Sequence, residues 1–171
     1  MSDELTRVLT FPEHAQLPLD GPWVDEPDKI QWVDPATGLD CLVRRNMRNG
    51  VLCGYVGVPA EHPAFGLGYD EVQDEYENIW VHGGLTFADS CDEDGGDEAI
   101  CHVPFPGRPD KVWWFGFDCH HGGDKAPALD ARFIAMGAAH LVDTSEVYRT
   151  VEYVQKDVAR LASQLMGLQK R

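Results

Sequence analysis

The chain has 171 residues and carries 14 Lys+Arg against 29 Asp+Glu, a formal net charge of −15; that length suits one folded domain with a real core. Nucleic-acid affinity rests largely on Lys and Arg neutralising phosphates, so this balance argues against a direct DNA- or RNA-binding surface. It leaves open a small nucleotide in a local pocket, or docking of an acidic surface onto a basic partner, DNA mimicry included.

Residues 1–171 read as a single domain made of a Pro-rich extended arm over 1–38, a sheet over 40–124 and a C-terminal helix over 145–168. No apolar run approaches the roughly 18–20 residues of a transmembrane helix, and Met1–Phe11 lacks the basic start and apolar block of a secretion signal. A soluble, cytoplasmic protein with no membrane contact is therefore expected. The five cysteines, Cys41, Cys53, Cys91, Cys101 and Cys119, are odd in number and never spaced C-x-x-C, which favours reduced thiols over a disulfide framework or structural zinc.

In chain order, Pro12, Pro18, Pro22, Pro27 and Pro35 disfavour helix at and before each position, so residues 12–38 are expected to run extended, pinned by Trp23 and Trp32. Asp40–Asn46, the turn at Met47–Gly50 and Val51–Val58 carry a hairpin signal, because Asn-Gly tolerates the positive φ of tight turns. A third strand is expected over Asn78–Ala88 and a fourth over Lys111–Cys119, separated by the acidic segment Asp89–Glu98, with six carboxylates in ten residues. That segment misses the calcium-loop pattern and reads as a mobile solvated loop. From Ser145 onward, Val147, Val151, Val154, Val158, Leu161, Leu165 and Leu168 recur at steps of four and three, the period of one helical face. Asp143 with Glu146 suits its N-terminus, and Lys170 and Arg171 its C-terminal dipole. The stripe is best used to cover a sheet, with a homodimeric coiled coil as the alternative. An α+β fold follows: a mostly antiparallel sheet of four or more strands with a long C-terminal amphipathic helix on one face.

Side chains two apart share a strand face. Ile79, Val81, Leu85 and Phe87, with Trp113, Phe115 and Phe117 and with Leu52, Val56 and Val58, should face the helix. The opposite face would hold Trp80, His82, Gly84, Thr86, Trp114, Gly116, Asp118, Cys53, Tyr55 and Gly57, with Arg44 beside them. Strand glycines admit close approach and a solvated face has no need of tryptophan, so this face is a candidate ligand floor; the alternative is a second core layer under residues 12–38.

GFDCHHGGD at Gly116–Asp124 places Asp118, His120 and Asp124 close together, and His82 comes from the neighbouring strand. These four would suit Mn, Fe or Zn with an open coordination position, with His82 and Asp118 in the catalytic centre, Tyr55 or Arg44 stabilising developing charge, and Trp80, Thr86 and Trp114 holding the ligand. Asp118 and His120 holding a tight turn at Gly122-Gly123 is the structural alternative, and a relay of Cys53, His82 and Asp118 is a further one. His14, His62, His102 and His140 carry no usable pattern.

The strings NGVLCGYVGVP (49–59), WVHGGLTFA (80–88), VWWFGFDCHHGGD (112–124) and YRTVEYVQKDVARLASQL (148–165) resemble a family of small uncharacterised proteins of bacteriophages, prophages and bacteria. The resemblance implies a viral or mobile-element origin, action in the host cytoplasm and a role against host defence; it brings no catalytic assignment. Three functions are expected to compete: a metal-dependent hydrolase of a small phosphorylated or nucleotide-like substrate, a non-enzymatic protein that sequesters a nucleotide, and an acidic interaction protein or DNA mimic.

Overall fold

The computed structural model describes residues 5–77 and 79–168; Met1–Glu4, Asn78 and Gln169–Arg171, with the expected C-terminal Lys170 and Arg171, lie outside the described residues. The elements are β1 (Thr6–Leu9), β2 (Lys29–Val33), β3 (Asp40–Arg45), β4 (Leu52–Pro59), α1 (Tyr69–Glu75), β5 (Phe87–Ser90), β6 (Val112–Asp118), α2 (Pro127–Ala135) and α3 (Val151–Met166). The strands form one sheet in the order β1-β2-β3-β4-β6-β5, antiparallel at every pairing. The fold is α+β, with the C-terminal helix on the sheet as expected.

The Pro-rich region departs from an extended arm. Pro12 and Pro22 each open a short 3-10 turn, where a missing N–H costs nothing. The stretch between Pro27 and Pro35 is proline-free, so Lys29–Val33 can supply backbone donors to both its neighbours, β1 and β3. Trp23 is buried and donates to the Pro18 carbonyl at 2.7 Å, while Trp32 packs at the edge of the core.

The face assignments hold for β4 and β6. Leu52, Val56, Val58, Phe115 and Phe117 pack under Val154, Val158, Leu161 and Leu165 of α3. Gly54 lets the helix approach: a Cβ there would lie 2.6 Å from both Phe117 Cζ and Val158 Cγ2. Gly54→Ala is expected to overpack this contact and cost about 1–3 kcal/mol, read as a lower urea midpoint at unchanged m-value.

The helix starts later than its stripe suggests. Thr150 caps α3 by accepting from the Tyr153 N–H at 3.3 Å, whereas Asp143 accepts from Ser145 in a separate turn. Between them, Val147 is held extended beside the Gly123–Lys125 backbone: its N–H donates to Gly123 O at 2.8 Å and its carbonyl accepts from Lys125 N at 3.0 Å.

The opposite sheet face is a second apolar layer rather than an open floor. Leu42, Cys53, Tyr55, Val112 and Trp114 form it, with Phe87, Cys91 and Ile100 packed against them. Its cover is the acidic segment itself, not residues 12–38. The carboxylates of that segment are solvent-exposed, but its backbone is tied down: Lys29 Nζ donates to Asp97 O at 2.9 Å and Ala99 O at 2.8 Å, Arg44 Nε donates to Glu98 O, and Gln31 and Val103 exchange two hydrogen bonds. A Cys91–Cys101 disulfide joins the two ends, correcting the expectation that all five thiols stay reduced; Cys41, Cys53 and Cys119 are free and buried.

Burial, reinforced by the positive charges of Arg44 and Arg7, pushes the Lys29 ammonium down to about 8. Folded Lys29 therefore loses its proton before the unfolded chain does, and the cost of keeping it charged, present below pH 8, is relieved between about pH 8 and the ordinary value of 10.5. The expected result is a Lys29 ¹³Cε resonance titrating near pH 8, assigned by its loss in Lys29→Met.

At the same end of the sheet, one residue beyond Arg44, the cross-strand partner of Lys29, Arg45 is fully buried. Its Nε donates to buried Asp28 at 2.7 Å and its Nη1 to the Gly50 carbonyl at 3.0 Å and the Tyr148 hydroxyl at 2.7 Å. Tyr148 donates in turn to Glu26 at 2.6 Å, whose other oxygen accepts from Val151 N at the start of α3.

Candidate functional site

The segment 79–86 does not continue β5. Gly83 and Gly84 have φ of +67° and +83°, a left-handed conformation that no strand sustains, so strand alternation lapses and β5 begins only at Phe87. The loop docks on α3 instead: Trp80 exchanges backbone hydrogen bonds with the Gln164 side chain at 2.9 and 3.1 Å, and His82 N donates to Asp157 at 2.6 Å. Leu85 N is held by Gln73 of α1 at 3.2 Å. His82 thus sits against the helix rather than on the face opposite it.

There it completes a hydrogen-bonded chain. His82 Nε2 lies 2.6 Å from Asp124 Oδ2 and Nδ1 lies 2.8 Å from the Tyr153 hydroxyl. A carboxylate only accepts, so in the neutral imidazole Nε2 carries the proton and Nδ1 accepts from the tyrosine. Asp124, its side chain 1% exposed, also accepts from Arg149 Nε at 2.8 Å and His121 N at 3.1 Å. Burial presses the Asp124 carboxyl upward, and the bonds from Arg149 and His82 outweigh it, so it stays below the usual carboxylate value. Tyr153 is raised, desolvation exceeding the pull of Arg149; the resting phenol is protonated. Arg149 also lies over the Tyr153 ring, 5.0 Å from its centroid.

The surroundings are aromatic and cationic. Trp80 is 64% exposed with Arg160 stacked on it at 4.8 Å. A cleft of about 170 Å³ lies beside Asp124, walled by His120, His121, Asp130, Phe133 and Glu146 among others.

The other expected site residues fall elsewhere. Asp118 accepts from Thr86 Oγ1 at 3.0 Å and from His120 N at 2.9 Å, and reaches the His82 cluster only through His121, whose Nε2 is 3.4 Å from its Oδ1. His120 faces Asn49 at 3.3 Å. His82, Asp118, His120 and Asp124 do not converge into a metal-binding group; among the described residues the group whose donor atoms lie within 4.8 Å of one another is Cys91, Cys101 and His102. Asp118 and His120 are turned to Thr86 and Asn49, while the Asp124 oxygens are engaged by His82, His121 and Arg149. Tyr55, Arg44 and Trp114 sit in or over the second apolar layer: Tyr55 packs edge-on to Phe87 at 5.5 Å, and Trp114 is fully buried, donating to Cys91 Sγ at 3.2 Å. Cys53 is on that layer too, its thiol pushed up to about 11 by burial, which removes the thiol relay. Sequence reasoning missed Tyr153, Arg149 and His121. The available signal was that residues 149 and 153 are four apart on the polar side of the expected helical stripe; in the structure Arg149 lies just before the Thr150 cap and only Tyr153 is on α3.

The fold and the site together define a small α+β protein with a histidine-centred polar relay on its helix. No protein-family model, curated protein or solved structure matches the chain, and no helix among the described residues is long and apolar enough to cross a membrane.

Proposed function

We propose that the protein is a hydrolase of a small phosphorylated, nucleotide-like substrate, working through a Tyr153–His82–Asp124 relay. The observation that carries this reading is the unbroken chain from a half-exposed hydroxyl through an imidazole to a buried, ionised carboxylate, the nucleophile–base–orienter arrangement of covalent catalysis. The Tyr153 oxygen attacks phosphorus as its proton passes to His82 Nδ1. The bond to the leaving oxygen breaks and that oxygen takes the proton, leaving a phosphotyrosyl group. Water, deprotonated by His82, then releases phosphate and restores the phenol. Arg149 and Arg160 supply positive charge for the phosphate, and exposed Trp80 a surface for a base. The Mn, Fe or Zn expected at His82, Asp118, His120 and Asp124 has no part here, since the Asp124 oxygens are engaged. The resemblance to small phage and prophage proteins supports a nucleotide signal of host defence as the substrate class.

One observation favours capture without turnover: both His82 ring nitrogens are already bonded within the protein. The two readings separate in one experiment. The protein is incubated with linear and cyclic nucleotides and quenched in acid. Converted product and phosphate on Tyr153, found by peptide mapping, are expected; stoichiometric ligand recovered unchanged after heating would establish sequestration instead, and neither binding nor product would overturn both.

A further inference from the structure

The disulfide beneath the acidic segment has a feature that oxidation alone does not explain. His102, 5% exposed, is held with Nε2 3.1 Å from the Pro109 carbonyl and Nδ1 3.7 Å from Cys91 Sγ. A carbonyl only accepts, so Nε2 bears the proton and the Nδ1 lone pair points at sulfur. A disulfide sulfur has no proton to give, which leaves a buried acceptor aimed at an atom that cannot satisfy it. In the same place the indole N–H of fully buried Trp114 donates to Cys91 Sγ at 3.2 Å, and its ring meets His102 edge-on at 5.3 Å. An N–H aimed at sulfur suits a thiolate better than a disulfide. Cys91 Sγ, Cys101 Sγ and a His102 ring nitrogen lie within 4.8 Å of one another.

We propose that Cys91, Cys101 and His102 form a redox-gated site for a thiophilic divalent cation of the zinc class, closed as the disulfide and opened by a dithiol reductant. The site is independent of the His82 relay. Reduction breaks the Sγ–Sγ bond; two electrons and two protons come from the dithiol, which leaves as its own disulfide. The cation then displaces both thiol protons to solvent and bonds to two thiolates and to His102 Nδ1, an S₂N set that zinc favours. The carbonyl behind Nε2 is the outer partner that orients a metal-binding imidazole. Water or a carboxylate fills the fourth position: Cys91 borders a cavity of about 510 Å³ walled by Asp92, Glu93, Asp94 and Asp110, whose charge concentrates cations. With metal or disulfide alike, the two ends of the acidic segment stay joined.

The test uses the full chain, either oxidised or reduced with dithiothreitol and desalted without air, titrated with Co²⁺ and then Zn²⁺. The reduced protein is expected to take one Co²⁺ per chain with thiolate-to-cobalt charge-transfer absorption, to exchange it for Zn²⁺, and to lose at least about tenfold in affinity in His102→Ala; the oxidised protein should take none. Because a variant can fail for want of folding, the wild-type chain is also alkylated with iodoacetamide with and without Zn²⁺. Protection of Cys91 and Cys101 by Zn²⁺ supports the site. Equal binding by the oxidised chain, absence of the charge-transfer band, or unchanged alkylation of these two cysteines overturns it.

Discussion

Under the proposed relay mechanism, replacing Tyr153 with phenylalanine is expected to lower turnover of a nucleotide-like substrate about 10²–10⁴-fold, and His82→Ala to do the same. Phenylalanine keeps the ring that meets His82 edge-on at 5.5 Å and lies beneath Arg149, so only the attacking oxygen is lost. His82→Ala removes the acceptor of the phenolic proton while leaving Asp124 its bonds from Arg149 and His121. Two groups acting as one unit give non-additive losses, so the double variant should be no slower than either single one. Single-turnover rates with thermal melts check this, the Tyr153→Phe melt staying near wild type because the hydroxyl is not deeply buried. Full activity in Tyr153→Phe would remove the tyrosine from the chemistry.

The second large effect is on stability. Arg45→Ala should cost about 3–5 kcal/mol, because the fully buried Asp28 would lose the guanidinium that compensates it. Phe11 N and His14 would still donate to Asp28, which sets a ceiling on the loss. Removing both charges in Arg45→Met with Asp28→Asn should recover part of it, since an unpaired ion is worse than none. Urea unfolding of the two variants decides the point; a loss below about 1 kcal/mol in Arg45→Ala would mean water reaches the carboxylate.

Much of the sheet was legible because β4 and β6 alternate cleanly, and burial on each face follows from period two. Val154, Val158, Leu161 and Leu165 were legible as a helical face for the same kind of reason, since their spacing is local and their burial follows from it. The third strand misled because Val81 and Leu85 are buried, and Ile79 partly buried, in loop conformation, so apolar content mimicked alternation while Gly83 and Gly84 broke it. Of the site, His82 and Asp124 stood out as chemistry-bearing residues in glycine-rich strings, but their partnership did not. It depends on where α3 lies, and Tyr153 and Arg149 look in the sequence like ordinary polar positions of a surface helix. The disulfide was hidden likewise: cysteines ten apart become neighbours only because Lys29, Gln31 and Arg44 fold the segment between them back onto the sheet.

The place of α3 in the chain has a consequence for synthesis. Every strand of the sheet precedes it, so a ribosome delivers Val43, Val56, Phe115 and Phe117 before the side chains that cover them, and the nascent sheet stays greasy on one side until residue 165 emerges. Glu26 waits still longer for its neighbour, the amide of Val151. Early in life this polypeptide is a natural client for chaperones that bind bare apolar surface.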